Sequence, residues 1–243
     1  MSGHSKWANI KHKKEKTDAQ RAKVFTKIGK EISIAVKEGG GDPTSNSKLR
    51  DLIQKAKSNN VPNDNIERII KKSLGGSDET YEEIVYEGYG PGGVAVIVET
   101  TTDNRNRTAG NVRSYFAKYH GNLGQSGCVG FMFEEKGVIV IDNEDGDIDE
   151  DKLMETALEA GAEDFSKDGE AFVVYTVTDD LYAVKEAIEA AGYTVASAEK
   201  DKIPSTTVTL ETEEDLKFMG LLVEKLEEDD DVMEVYHNWE NCD

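Results

Sequence analysis

The spacing of hydrophobic residues changes at Gly75-Gly76, and this change constrains the fold more than any other feature of the chain. Before the two glycines, apolar residues recur every three or four positions, which is the period of a helix with one buried face. After them, β-branched residues alternate with polar ones, which is the period of a strand. The sequence therefore predicts a helical N-terminal domain followed by α+β structure.

Residues 17–75 are expected to form three helices. Gly39-Gly40-Gly41 ends the first helix, and residues 58–60 break the second before Pro62 opens the third. The apolar stripes are Phe25, Ile28, Ile32 and Val36, then Leu49, Leu52, Ile53 and Ala56, then Ile66, Ile69 and Ile70. Short helices with short connections predict a small antiparallel bundle. Two cationic groups are expected on its outer surface: Lys48, Arg50, Lys55 and Lys57, and Arg68, Lys71 and Lys72.

Beyond residue 76 we expect two α+β domains with antiparallel sheets, one inserted in the other. The strands within 84–141, which include a hairpin joining Val129–Phe133 to Val138–Ile141, lack a closing helix–strand pair that the end of the chain supplies. An acid-rich stretch at 142–151 and Pro204 mark the insertion. The predicted domains are 1–76, a discontinuous domain of 77–142 plus 206–243, and an inserted domain of 143–205. In the alternative of four units in series, the last would have about 38 residues, too few to stand alone.

The two parts of the chain carry opposite charge. Residues 1–76 hold 17 Lys/Arg against 8 Asp/Glu, a net charge of +9, whereas residues 77–243 carry −29, so that the whole chain has −20. A basic segment beside so acidic a body indicates a polyanionic partner, and nucleic acid is the first candidate. The expected partner is therefore a nucleic acid.

The basic residues are densest at the start of the chain, where lysines surround Trp7. Lysines neutralise phosphates, and an indole ring offers a face on which a base can stack. The alternative is a solvated tail whose Trp7 packs on the domain that follows. The candidate nucleic-acid-binding residues are Lys6, Trp7, Lys11, His12, Lys13, Lys14, Lys16, Arg21, Lys23, Arg50, Arg105 and Arg107.

Arg105 and Arg107 are candidates because they lie between a predicted strand and a predicted helix in an acidic domain. A helix N-terminus favours anions, so arginines are poorly placed there unless an anion joins them. A bound phosphate would satisfy both guanidiniums and the helix N–H groups. Pairing of the two arginines with nearby carboxylates explains them equally well.

Catalytic and cofactor chemistries find little support. The run Gly88–Gly93 fits a dinucleotide motif literally, but a strand follows it where the motif requires a helix. The acidic stretch at 142–151 fails the ligand positions of a calcium loop, and the histidines and cysteines lack zinc spacing. His4 and His12 have no carboxylate to orient them, and Cys128 has no nearby base. We expect no enzyme activity, no cofactor, no metal and no small-molecule substrate.

The compartment follows from two further observations. Only two cysteines occur, which is typical of a reducing environment. No apolar run approaches the roughly 18 residues that span a bilayer. We therefore expect a cytoplasmic protein without a membrane segment.

Five separated motifs resemble the YebC family. They are Gly3-His4-Ser5-Lys6-Trp7 with Ile10-Lys11-His12-Lys13, Asn46-Ser47-x-Leu49-Arg50, Pro62-x-Asp64-Asn65-Ile66, Tyr86-Glu87-Gly88-Tyr89-Gly90-Pro91 and Thr102–Thr108. The resemblance covers essentially the whole chain, and Cys128 departs from it where serine is expected. It implies a helical domain and two α+β domains, one inserted in the other. The family is described as DNA-binding transcriptional regulators, with mitochondrial members that activate translation and bacterial members linked to stalled ribosomes.

Three functional classes follow. The first is a non-enzymatic nucleic-acid-binding regulator, which by resemblance is a DNA-binding transcriptional regulator; the alternative within it is a ribosome- or ribosomal-RNA-associated factor that relieves stalled synthesis. The second is an adaptor whose acidic surface binds proteins. The third is an enzyme, for which no residue constellation was found.

Overall fold

A computed structural model of the protein describes residues 18–76 and 80–242, with side chains from residue 21 onward. The described residues form seven α-helices and two four-stranded antiparallel sheets, which confirms the predicted α+β class. The helices are α1 (Asp18–Gly39), α2 (Ser47–Ser58), α3 (Asn63–Leu74), α4 (Arg105–Lys118), α5 (Glu150–Glu159), α6 (Leu181–Ala190) and α7 (Glu213–Glu228). The strands are β1 (Glu82–Tyr89), β2 (Ala95–Thr102), β3 (Asn122–Leu123), β4 (Phe133–Asp142), β5 (Asp164–Asp168), β6 (Ala171–Thr176), β7 (Val195–Pro204) and β8 (Val232–His237).

Helices α1 to α3 form the predicted bundle around a core that includes Ile28, Ile32 and Leu49. The buried amide of Asn46 ties the end of α1 to the start of α2. Its Nδ2 donates to the carbonyls of Ala35 (2.7 Å) and Gly40 (2.8 Å), and its Oδ1 accepts from the N–H of Leu49. This side chain therefore caps α2 and fixes the angle at which the chain re-enters the bundle.

The first sheet has the strand order β3-β1-β2-β8 and is built from two distant parts of the chain. A short 3-10 turn at Pro91–Gly93 joins β1 to β2, so the glycine run lies between two strands. Gly90 is required by close packing: a Cβ atom there would lie 2.5 Å from the Sδ of Met219 on α7. The glycine run thus allows α7 to approach the sheet.

The second sheet has the order β5-β6-β4-β7, with Leu153 of α5 and Val184 of α6 in its core. Strand β4 belongs to this sheet, and the predicted hairpin across residues 134–137 is wrong. Those residues continue one long strand, because Glu134 to Gly137 pair in register with Ile203 to Lys200 of β7. A polar, glycine-containing segment resembles a turn, yet an exposed strand end has the same composition.

The described residues divide into two compact units, one of 18–130 with 210–237 and one of 131–209 with 238–242. The first boundary therefore falls near residue 130 and not at 142, because β4 pairs with β6 and β7. The alternating residues Thr206–Leu210 predict a further strand, but within the described residues Val208 makes only an isolated bridge to Trp239. No helix of 18–76 or 80–242 is long and apolar enough to cross a membrane.

Candidate nucleic-acid interface

The predicted binding residues divide into those that the structure describes and those that it does not. Lys6, Trp7, Lys11, His12, Lys13, Lys14 and Lys16 lie outside the described residues. Arg21, Lys23, Arg50, Arg105 and Arg107 lie within them. All five are exposed, but Lys23 and Arg107 also contact acidic residues, Asp230 at 3.7 Å and Asp231 at 2.6 Å, respectively.

An exposed basic face is formed by side chains of α2 and α3: Arg50, Lys57, Arg68, Lys71 and Lys72. Arg50 and Lys57 are seven positions apart, so they lie on the same side of α2. Arg68 donates to the Oδ1 of Asn65 (3.2 Å), and Lys71 lies 3.8 Å from Glu67. Exposed pairs of this kind are weak, so these cations remain able to bind phosphate.

Three lysines of α1 contact the C-terminal end of α7 and the residues that directly follow it. Lys23 donates to the carbonyl of Glu228 (3.3 Å), Lys27 to that of Glu227 (2.9 Å), and Lys30 to that of Asp230 (2.8 Å). The last carbonyls of a helix lack partners within the helix and carry partial negative charge. The three lysines are therefore spaced so that each reaches a carbonyl at this terminus, which belongs to the same compact unit. Burial at this contact lowers the pKa of Lys27.

Two lysines of α2 likewise face carboxylates. Lys48 lies 2.8 Å from Glu83 of β1, and Lys55 lies 3.0 Å from Glu234 of β8. Lys55, which is 25% exposed, is therefore not on the outer surface as expected, whereas Lys48, seven positions earlier on the same side of α2, remains 40% exposed. Lys55 also lies 3.3 Å from Glu31, whose pKa is raised by burial against the opposing effect of Lys55. We call Lys23, Lys27, Lys30, Lys48 and Lys55 the docked lysine face.

Arg107 pairs with carboxylates, as the second of the two explanations proposed. Its Nη2 lies 2.6 Å from the Oδ2 of Asp231 and 2.8 Å from the Oδ1 of Asp103. Thr108 donates to the same Asp231 oxygen (2.9 Å), and Lys30 lies 3.0 Å from the other. Burial alone would raise the pKa of Asp231, but these hydrogen bonds outweigh it and lower the pKa. Asp231 is therefore a charged centre that joins α1, α4 and β8.

Arg105 is in a different position from Arg107. Its side chain is 70% exposed, and its nearest carboxylate, that of Glu82, is 3.9 Å away. Asn104 caps α4 by accepting from the N–H of Arg107 at 3.1 Å. The helix N-terminus is therefore partly satisfied by the chain itself, and Arg105 is the more exposed of the two arginines and lacks a close carboxylate partner like that of Arg107.

A cleft of about 520 Å³ opens beside Asp231. Its lining mixes both signs of charge: Lys30, Tyr81, Asp103, Arg107, Asn111, Glu228, Asp229, Asp230 and Asp231. Tyr115 donates to Asp229 (2.9 Å), and burial together with this carboxylate raises the pKa of Tyr115 to about 12. Within 18–76 and 80–242 no group of three or more His, Cys, Asp or Glu side chains is placed to hold a metal ion.

Glu87 is a buried carboxylate that holds a loop in place by accepting hydrogen bonds from its backbone. It accepts hydrogen bonds from the N–H groups of Gly127 (2.7 Å), Val129 (2.8 Å) and Gly130 (2.7 Å). Burial opposes ionisation, but the three N–H donors outweigh it and lower the pKa of Glu87. Burial, followed by the charge of Glu87, raises the pKa of the Cys128 thiol. The loop thus disfavours a reactive thiolate at Cys128.

The residues missed by the sequence analysis are the acidic partners, above all Asp231. Lys30 and Asp231 are 201 positions apart, and no local pattern joins them. The signal that was present is complementary charge: lysines at positions 23, 27 and 30 on one helix face and an acidic run at 227–231. Some of the positive charge of residues 1–76 is thus paired with negative charge of residues 77–243 within the molecule.

Comparison with known proteins places both parts of the chain in one family. The family model described as "TACO1/YebC protein N-terminal domain" matches residues 5–76, and the one described as "TACO1/YebC second and third domain" matches residues 81–239. A protein of Acetivibrio thermocellus named "Probable transcriptional regulatory protein" is 59% identical over 240 residues, covering 98% of this chain and 99% of its own. A protein of Agathobacter rectalis with the same name is 56% identical over 241 residues, covering 99% of this chain and all of its own.

A solved structure agrees with these relatives. The crystal structure of a conserved hypothetical protein from Aquifex aeolicus superimposes with a TM-score of 0.81 and 46% identity, covering 92% of each chain. The five sequence motifs, the two family models and the similar structure agree, and the chain belongs to the YebC family.

Proposed function

We propose that this protein is a non-enzymatic, DNA-binding transcriptional regulator that contacts nucleic acid through its helical bundle. The observation that carries the proposal is the exposed basic face of α2 and α3 in a chain of net charge −20. The relatives named as probable transcriptional regulatory proteins support the same class of function.

Charge restricts where a duplex can lie. Residues 77–243 carry −29 and repel a polyanion, whereas residues 1–76 carry +9. The segment before residue 18 contains a further five lysines. Contact is therefore confined to this end of the sequence, and the affinity falls with salt because lysine–phosphate contacts release counterions.

The test compares two charge reversals of equal size. Arg50→Glu with Lys57→Glu removes two cations of the exposed basic face, and Lys152→Glu with Lys217→Glu removes two exposed lysines outside the bundle. Titration of a fluorescent duplex over a salt series should show weaker binding by the first variant and a log–log slope reduced by about 2. The control should keep the wild-type slope. Equal effects of both variants would contradict a bundle interface.

Ribosomal RNA is the rival target, and Trp7 distinguishes it. A base in a loop can stack on an indole ring for roughly 1–3 kcal/mol, whereas a paired base in a duplex has no free face. Duplex DNA and a structured RNA with open loops are titrated at one salt concentration with wild type and Trp7→Ala. Stronger RNA binding that Trp7→Ala abolishes would replace DNA by ribosomal RNA as the target.

A further inference from the structure

The docked lysine face lies against acidic groups of the same compact unit. Its five lysines contact the carbonyls at the end of α7 and the carboxylates of Glu83, Asp231 and Glu234. Lys30 is 14% exposed and Lys55 is 25% exposed, whereas Lys23 at 51% and Lys48 at 40% are open to solvent but have acidic partners. Carboxylate and carbonyl oxygens occupy the donors that would otherwise bind phosphate oxygens.

The contacts on the α2 side are of the kind that separates readily. Glu83 is 45% and Glu234 is 36% exposed, and ion pairs with such access to water contribute about 0–1 kcal/mol each. A cleft of about 160 Å³, lined by Glu31, Glu83 and Thr100 among others, lies beside them. The sheet and the bundle are therefore not tightly packed at this point.

We propose that Lys48 and Lys55, the α2 part of the docked lysine face, form a second phosphate-binding surface, and that their contact with Glu83 and Glu234 is autoinhibitory. The carboxylates and a nucleic acid compete for the same lysines. This inference rests on the proposed function, since it concerns the regulation of nucleic-acid binding by the bundle. Because binding through Lys48 and Lys55 requires only that their ion pairs with Glu83 and Glu234 open, while the contact of Lys30 with Asp231 stays in place, the apparent affinity is reduced by the fraction of molecules in which these pairs are closed.

The experiment removes the competitor and leaves the lysines in place. Glu83→Gln with Glu234→Gln keeps the shape of both side chains and removes two negative charges. The control, Glu155→Gln with Glu159→Gln, makes the same change in net charge on the exposed side of α5. Both full-length variants are titrated with the same duplex over a salt series, and their folding is checked by thermal denaturation.

We expect the Glu83/Glu234 variant to bind about threefold or more tighter than the control, from the loss of two weak ion pairs. Its log–log salt slope should be steeper by at most about 2, because Lys48 and Lys55 each lose one carboxylate partner and keep Glu38 and Glu31, respectively. Without nucleic acid, acetylation of Lys55 measured by mass spectrometry should be faster in this variant than in the control.

The outcomes separate the two proposals. If wild type binds and the two variants show the same affinity and slope, the autoinhibitory contact is refuted while the proposed function stands. If wild type binds neither DNA nor RNA, the proposed function fails. If the double variant does not fold, Glu83→Gln alone is compared with Glu155→Gln, and a slope change of about 1 is then required.

Discussion

The Nζ of Lys30 on α1 lies 3.0 Å from the Oδ1 of Asp231, and both side chains are largely buried. The other oxygen of Asp231 accepts from Arg107 and Thr108, both on α4. One carboxylate thus holds the helical bundle and the first sheet in a single compact unit. Its four hydrogen-bonding neighbours, counting Thr102 at 3.3 Å, leave little of its charge without a partner.

Replacement of Asp231 should be strongly destabilising. Asp231→Ala leaves Lys30 and Arg107 without their shared anion, and breaking a buried pair from one side costs about 3–5 kcal/mol. Because Arg107 is half exposed, we expect the lower part of that range. Chemical denaturation measures the loss, with Asp103→Ala as the control: Asp103 is an exposed partner of the same Arg107, and its removal should cost less than about 1 kcal/mol. Equal losses for both variants would show that Asp231 is not the central contact.

Asp231 and Glu31 should affect stability with opposite pH dependence. The pKa of Asp231 is lowered from 3.8, so its contribution is present above that pH and is lost as pH falls through the lowered value. The pKa of Glu31 is raised from 4.5, so its contribution is present below 4.5 and is lost as pH rises through the raised value. As pH falls, the difference in free energy of unfolding between wild type and Asp231→Asn should therefore become smaller. The difference between wild type and Glu31→Gln should move in favour of wild type.

The measurement is the free energy of unfolding of wild type and both variants in a pH series from neutral to acid. The two differences serve as controls for each other, since general acid destabilisation is common to all three proteins. If the two differences change in the same direction, the assignment is refuted: either the fold does not stabilise the charged form of Asp231, or burial does not destabilise the charged form of Glu31.

The bundle and the α+β class were predictable because their signals are local. The apolar spacing of Ile28, Ile32 and Val36 and the stop at Gly39–Gly41 depend on neighbours within a few turns. The side of α2 that bears Lys48 and Lys55 could not be assigned, because the acidic residues that define it lie on strands far along the sequence. Strand β5 could not be predicted locally, because Asp164–Asp168 is a polar edge strand without an apolar repeat.

Glu87→Gln should loosen the loop at residues 124–130. A carboxylate accepts all three N–H groups that point at it, whereas a glutamine amide has one acceptor oxygen and turns N–H donors towards the other groups. Each buried N–H left without a partner costs about 1–3 kcal/mol, so the variant should lose at least that amount in thermal or chemical denaturation. Glu82→Gln, at an exposed position of the same strand, is the matched control.

Hydrogen exchange locates the effect of Glu87→Gln. The amides of Gly127, Val129 and Gly130 should exchange faster in the variant, because each donates directly to Glu87. Unchanged protection of these three amides would mean that the loop is held by other contacts.

Arg105→Glu and Arg107→Glu should separate binding from stability. The reversal at Arg107 places an anion beside Asp231 and removes its 2.6 Å partner, so we expect a loss of at least about 3 kcal/mol in the free energy of unfolding. Arg105 makes only a 3.9 Å contact with Glu82, and its reversal should change stability by less than about 1 kcal/mol.

If the exposed guanidinium binds a phosphate of the target, Arg105→Glu should still weaken nucleic-acid binding and reduce the salt slope by about 1. Arg113→Glu, an exposed position on the same helix, controls for net charge. Normal binding by Arg105→Glu at unchanged stability would limit recognition to the helical bundle and the segment that precedes it.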